Sequence, residues 1–235
     1  MKAFILAAGL GTRLRPLTDS VPKCLLPVRG KPILQYWLEL CANHGISQVL
    51  INLHHHDQKV REFVRSRDWG LTVVLTFEPT LLGSGGTVRS NGDWIRQESE
   101  FAILYADNLT NVNLTRMREF HQNSGRPLTM GLFRTSFPEQ CGIVRLSDYG
   151  VVVEFAEKPA SPWSNLANAG IYFASPAILN LIPAHTPCDI GHDLLPLLVG
   201  NMMGYCVPEY LLDIGTPESY AQAQQDADTL TIEDC

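Results

Sequence analysis

Through its first half the sequence alternates short apolar, β-branched runs with segments of helical period, and that alternation restricts the chain to βαβ units and a mostly parallel sheet. Residues 3–8 read as a buried strand. Pro32 opens a helix in which Ile33, Leu34, Trp37, Leu38 and Cys41 share one face, and Gly45 closes it. Residues 49–53, 71–77 and 101–106 read as further strands, with a polar-faced helix over 58–67. Beyond about Arg126 the strands shorten, to 128–133, 142–146, 151–155 and 169–174, with turns at 148–150 and 159–163. A smaller, partly antiparallel subregion is therefore expected on the same doubly wound sheet. Helices return at 190–199 and 217–228, the latter with Thr216 as N-cap, Pro217 at the first helical position and Glu218 near the positive end of the dipole. Residues 229–235 are expected to fray.

With 235 residues, 45% hydrophobic and 18% charged, the chain is expected to form one α/β domain. Lys and Arg number 18 against 24 Asp and Glu, a net charge of −6, which argues against nucleic acid or an anionic membrane as partner. An anionic ligand must then be held by local positive charge. The six cysteines contain no CxxC and no zinc-like pairing, so they read as free thiols of a reducing, cytoplasmic compartment. The apolar N-terminus is broken by Gly9 and Gly11 and followed by Arg13 and Arg15, unlike a signal peptide, and no stretch approaches the roughly 20 apolar residues of a membrane span.

Chemistry concentrates in the loop after the first strand, Leu6-Ala7-Ala8-Gly9-Leu10-Gly11-Thr12-Arg13-Leu14-Arg15-Pro16, followed by Pro22-Lys23. Glycines at the carboxyl end of a strand let backbone amides approach phosphate oxygens, although a tight turn alone explains such glycines often enough. A turn does not explain Arg13, Arg15 and Lys23, three cations in one loop of an acidic chain; the planar fork of Arg suits a triphosphate. A dinucleotide fingerprint lacks its third glycine and its immediate helix, and no Gly-Lys-Ser/Thr of a Walker loop is present.

This loop resembles the signature of the sugar-1-phosphate nucleotidyltransferases, which make NDP-sugars. The resemblance continues at intervals over nearly the whole chain: Leu82-Gly83-Ser84-Gly85-Gly86, Asp107, Glu157-Lys158-Pro159, Asn168-Ala169-Gly170 and Asp213-Ile214-Gly215-Thr216-Pro217. It implies a Rossmann-like doubly wound mixed sheet, with a nucleotide-binding part over about 1–125 and a sugar-binding part over about 126–212. Carried over by position, it implies Arg13 and Lys23 as catalytic cations. Leu6, Ala8, Gly9, Gly11, Thr12, Gly83, Gly85 and Gly86 would bind the nucleotide, and Gly142, Glu157, Lys158 and Asn168 the sugar phosphate. Asp107 and Asp213 would hold Mg2+. The ligands implied are a nucleoside triphosphate and a sugar 1-phosphate, with a homodimer as an assembly open to such a chain. The resemblance runs nearest to compact guanylyltransferases acting on mannose or heptose 1-phosphate; similar cores use UTP, dTTP or CTP with glucose 1-phosphate or an amino sugar.

Several of these positions also have a physical rationale of their own. Asp107 and Asp213 each end an apolar run, and two carboxylates can share a magnesium ion, although a single Asp in such a place is more often a cap or turn residue. This chain has Ala106-Asp107-Asn108 where the family commonly has Gly-Asp, and Asn108 receives no role. His54, His55 and His56 cannot readily converge on one ion from an extended chain and read as solvated loop residues. The segment 189–193 heads a helix and reads as an N-cap arrangement, with a substrate role left open. The chain offers no DxD of a glycosyltransferase; a catalytically silent nucleotide-sugar sensor on the same fold is the rival from another class.

Overall fold

The computed structural model describes residues 1–227; the expectations for Asp228 and for residues 229–235 lie outside it. The strands are β1 (Lys2–Leu6), β2 (Pro27–Val28), β3 (Lys31–Pro32), β4 (Gln48–Leu53), β5 (Thr72–Phe77), β6 (Phe101–Tyr105), β7 (Asn108–Thr110), β8 (Leu128–Arg134), β9 (Gly142–Leu146), β10 (Val152–Glu157), β11 (Leu166–Ala174), β12 (Met202–Cys206) and β13 (Leu211–Asp213). The helices are α1 (Ile33–Asn43), α2 (Asp57–Arg65), α3 (Ser84–Ser90), α4 (Gly92–Ile95), α5 (Leu114–Ser124), α6 (Leu195–Leu198), preceded by a π turn over Ile190–Leu194, and α7 (Pro217–Asp226).

Nine strands form one mixed sheet. Its order is β10-β9-β11-β6-β1-β4-β5, with β8 pairing both β11 and β12. β1, β4, β5 and β6 are parallel, as the βαβ pattern requires, and β11 runs antiparallel to β6 and β8. Along one edge of β11, β6 pairs with residues 171–174 and β9 meets Ala167, so β6 gives way to β9. The change falls at Gly170, whose φ of 67° is open to glycine at little cost, and the register shifts there between Asn168 and Tyr172.

Both faces of the sheet are covered. On β1, Ala3 and Ile5 pack with Trp37, Leu38 and Cys41 of α1, while the alternate residue Phe4 packs with Val88 of α3 and Ile95 of α4. The five residues expected on one face of α1 are all buried. α7 carries the expected Thr216 cap, whose hydroxyl accepts from Ser219 N at 3.2 Å. Three elements carried too little periodic signal to be singled out in the sequence. α5 buries only Leu114, Met117 and His121 in a polar helix, α3 contains Gly85 and Gly86, and β12 contains Gly204. Among the described residues no helix is long and apolar enough to cross a membrane, and Cys24, Cys41, Cys141, Cys188 and Cys206 are free thiols.

Candidate active site

The loop leaving β1 folds back on itself. Gly11, at φ 62°, starts a single 3-10 turn over Thr12–Leu14, and its carbonyl accepts from Thr18 Oγ1 at 2.8 Å. A Cβ at Gly11 would lie 2.9 Å from Thr18 Cγ2 and 3.2 Å from Lys23 Cβ, so this glycine is required by the loop's own packing. Gly9 is different: a Cβ there would meet nothing within 4 Å. Its backbone borders a small cleft lined by Leu6, Ala7, Lys23, Cys24, Ala106 and Asp107. Ala8 is buried at its edge, while Thr12 and Arg13 are solvent-accessible. Arg15 pairs with Asp19 at 3.3 Å on the surface, and so is partly neutralised within its own loop.

Two carboxylates meet Lys23 at the mouth of this cleft. Asp107 follows β6 by two residues, and Asp213 ends β13, which pairs antiparallel with β7 and sets Asp213 opposite Asn108. Ile214 N donates to Asp107 O at 2.9 Å, and the buried Asn108 amide donates to Ala169 O at 2.8 Å. Asn108 therefore has a structural role, fastening the β7/β13 ribbon to β11. Lys23 Nζ lies 2.7 Å from Asp107 Oδ2 and 3.8 Å from Asp213 Oδ1. The Arg13 guanidinium reaches the same spot, since a Cβ on Gly215 would lie 2.9 Å from Arg13 Nη2 and 3.1 Å from Asp213 Oδ1. Reduced hydration and the neighbouring Asp107 carboxylate push Asp213 up to about 6, against the opposing pull of Lys23, Arg13 and Lys158.

The donor set fits magnesium. Two hard carboxylates converge on one ammonium and are 36% and 51% exposed, which leaves room for water or phosphate oxygens as further ligands.

Glu157 ends β10 and its carboxylate is largely buried, which pushes its pKa up while Lys158 draws it down. Room for that carboxylate is made by two glycines, because a Cβ at either Gly142 or Gly191 would lie 2.6 Å from Glu157 Oε2. Lys158 takes the left-handed conformation at φ 47°, donates its N–H to Cys141 O at 3.0 Å, and holds a mostly exposed ammonium 3.8 Å from Glu157 Oε1. Asn168 donates to the Tyr172 hydroxyl at 2.6 Å and accepts from Gly170 N at 3.0 Å.

The second glycine segment is the turn at Leu82 and Gly83 together with the first turn of α3, not an irregular loop throughout, and it is shaped by a neighbour that sequence reasoning did not identify. Gly83 has φ 79°, and a Cβ there would lie 2.3 Å from Cys188 O; one on Gly85 would lie 3.1 Å from Cys188 Sγ. Gly86 N donates to Cys188 O at 3.0 Å and Cys188 N to Leu82 O at 2.8 Å. Glycine at 83 is thus demanded by docking against residue 188, and a side chain at 85 would press tightly on the Cys188 thiol. Ser84 Oγ donates to Asp189 Oδ2 at 2.8 Å and accepts from Ile190 N at 2.7 Å, while Asp189 Oδ1 caps the π turn through Gly191 N at 2.8 Å. The N-cap reading of 189–193 holds, with Ser84 tying it to the loop.

A buried polar network joins the two loops. Asn52 Oδ1 accepts from Ala7 N at 2.7 Å, and its amide donates to Glu78 Oε1 at 2.9 Å and Thr87 Oγ1 at 3.1 Å. Glu78 also accepts from Thr87 Oγ1 at 2.5 Å and Leu82 N at 3.1 Å. A polar Asn at the end of an apolar strand was the available signal. The expectation of solvated histidines holds only for His55. His54 and His56 are half-buried, with His54 Nδ1 2.7 Å from Glu78 O and His56 Nε2 3.0 Å from Asp19 O.

Comparison with known proteins bears on this arrangement. A family model described as nucleotidyl transferase matches residues 2–229. A UTP–glucose-1-phosphate uridylyltransferase of Synechocystis is 31% identical over 95% of this chain and 62% of its own length. A mannose-1-phosphate guanylyltransferase of Mycobacterium tuberculosis is 30% identical over 95% of this chain and 64% of its own. The chain therefore spans less than two thirds of the curated relatives it matches. A solved UDP-glucose pyrophosphorylase, complexed with UDP-glucose, superposes with a TM-score of 0.84 at 20% identity, covering 97% of this chain and 98% of that one.

Proposed function

Because this chain belongs to the nucleotidyl transferase family, we propose that it moves a nucleoside monophosphate from a nucleoside triphosphate to a sugar 1-phosphate, giving an NDP-sugar and pyrophosphate. The observation that carries the reading is the pair Asp107 and Asp213 sharing Lys23 Nζ at 2.7 and 3.8 Å, beside an open glycine loop. In this reaction an oxygen of the sugar phosphate bonds to the α-phosphorus, the α–β bridging bond breaks, and its electrons leave with pyrophosphate. The nucleophile needs no general base, since a phosphate monoester has its second pKa near about 6. Catalysis then consists of positioning and charge stabilisation.

The chain's own groups divide that work. Gly9, with open space at its Cα, lets the loop of Leu6, Ala8, Gly11 and Thr12 approach the triphosphate, and Arg13 offers its fork to phosphate oxygens. Gly83, Gly85 and Gly86 border the base. Lys23 neutralises charge at the reacting centre while restraining both aspartates. Lys158 binds the phosphate of the sugar substrate; Glu157 and Asn168 take hydroxyls, with Gly142 giving the Glu157 carboxylate its place. Magnesium, held by Asp107 and Asp213, would supply Lewis-acid neutralisation of the phosphates.

For substrate, GTP with mannose 1-phosphate or a heptose 1-phosphate is the leading pair, supported by the guanylyltransferase relative. The uridylyltransferase relative supports the second reading, UTP or dTTP with glucose 1-phosphate or an amino-sugar 1-phosphate. A pyrophosphate-release screen of GTP, UTP, dTTP and CTP against a panel of sugar 1-phosphates, with magnesium, decides between them. Turnover confined to one pair names the substrate. Nucleotide binding without turnover for any pair replaces the enzyme with a nucleotide-sugar sensor.

A further inference from the structure

Residues 185–193 run across the outside of the second glycine loop and place three different metal-binding side chains together. The donor atoms of His185, Cys188 and Asp193 all lie within 4.8 Å of one another, and they form the single such group among the described residues. His185 Nε2 is 3.3 Å from Asp193 Oδ2. Around a tetrahedral ion with bonds of about 2.0–2.3 Å, neighbouring donors sit roughly 3.3–3.8 Å apart, so the His185–Asp193 pair is already at that spacing and the remaining donors must close by up to about 1 Å.

We propose that His185, Cys188 and Asp193 form a binding site for zinc or a chemically similar transition-metal ion, distinct from the two-aspartate centre. An imidazole, a thiolate and a carboxylate make a mixed N/S/O set that suits a borderline ion, and the thiolate discriminates against magnesium. The backbone around the ligands is already fixed. Cys188 N and O are bonded to Leu82 O and Gly86 N, Asp189 N donates to Asp193 Oδ2 at 2.6 Å, and Arg89 donates to His185 O at 3.2 Å and to Thr186 Oγ1 at 3.2 Å. Such outer partners orient ligands and hold the site's shape. His185 is about half exposed and the Cys188 thiol lies buried beneath it. The ion therefore enters from the His185 side, the thiol loses its proton on binding, and a fourth position faces water. Bound there, the ion clamps the segment that supports Gly83 to Gly86.

Cobalt(II) added to the metal-free full chain tests this without reference to catalysis. Wild type is expected to develop a near-ultraviolet thiolate-to-cobalt charge-transfer band at one ion per chain, bleached by zinc; an oxygen-only aspartate centre cannot produce it. Losing an outer partner alone weakens metal sites about 10–100-fold, so His185→Ala, at an exposed position, should weaken cobalt binding more than about 100-fold. Cys188→Ser should abolish the band, and zinc should raise the thermal midpoint of wild type but not of His185→Ala. No band in wild type overturns the proposal, as does a band that survives Cys188→Ser with affinity unchanged in His185→Ala.

Discussion

Replacing Asn52 by Leu removes the link between the two glycine loops while nearly conserving volume. Asn52 is 5% exposed and makes three hydrogen bonds, to Ala7 N, Glu78 Oε1 and Thr87 Oγ1, at 2.7 to 3.1 Å. The variant leaves the Ala7 N–H without its partner, at about 1–3 kcal/mol, and deprives the 2% exposed Glu78 carboxylate of one charge-assisted donor, at about 1.5–3 kcal/mol. The added apolar burial of Leu offsets about 1–2 kcal/mol of this, so the expected net loss lies between about 0.5 and about 5 kcal/mol, centred on about 3 kcal/mol. For a chain of this length each kcal/mol moves the thermal midpoint by about 2–4 °C, which puts the central expectation at a fall of about 6–12 °C. Equilibrium urea unfolding measures the energy, and the same preparation should show a raised KM for the triphosphate, because the loop carrying Gly9 has lost its anchor. Thr87→Ser keeps the hydroxyl bonded to Glu78 and should stay within about 1 kcal/mol of wild type. A cost under about 0.5 kcal/mol for Asn52→Leu, or an equal cost for Thr87→Ser, would show that the Asn52 hydrogen bonds do not hold the two segments together.

Asp213, pushed up to about 6 in the fold from an ordinary value near 3.8, is ionised at a cost, so its contribution to stability is full below about 4 and lost as pH rises through 6. Magnesium competes with that proton: its affinity should fall as pH drops below about 6, with proton uptake on its removal detectable by calorimetry in two buffers, and Asp107→Asn should move the Asp213 titration downward. Gly83→Ala, at φ 79° and 2.3 Å from Cys188 O, should destabilise by more than about 3 kcal/mol, whereas Gly9→Ala, in open space, should unfold within about 1 kcal/mol of wild type. Equal midpoints for the two would contradict the packing argument. Lys158→Met removes a side chain 59% exposed, so thermal stability should barely move while KM for the sugar 1-phosphate rises at least about tenfold.

How much of this was readable in the sequence depends on the distance over which each residue finds its reason. β1, α1, β4, β5 and β6 were legible because local apolar period and β-branched composition both pointed the same way. Thr216, Pro217 and Glu218 were legible because a cap is written within four residues. Asp107 and Asp213 could be singled out as strand-end carboxylates, but their meeting depends on the β7/β13 ribbon and on Asn108 reaching Ala169 O, contacts between segments some 60 to 100 residues apart. The same holds for Gly83 and Gly85, which look like ligand-binding glycines and are set by contact with Cys188. Asn52, Glu78 and Thr87 carry no motif at all, since what selects them is a buried network closed only in three dimensions.

Pyrophosphate release by wild type and by Asp107→Asn, measured side by side with magnesium on the best triphosphate and sugar 1-phosphate pair, reads out whether Asp107 and Asp213 form the reacting centre. Removing one carboxylate from a pair that shares Lys23 and receives the metal should lower kcat at least about 100-fold, with the fold and triphosphate binding retained. Turnover by Asp107→Asn close to that of wild type would contradict the account.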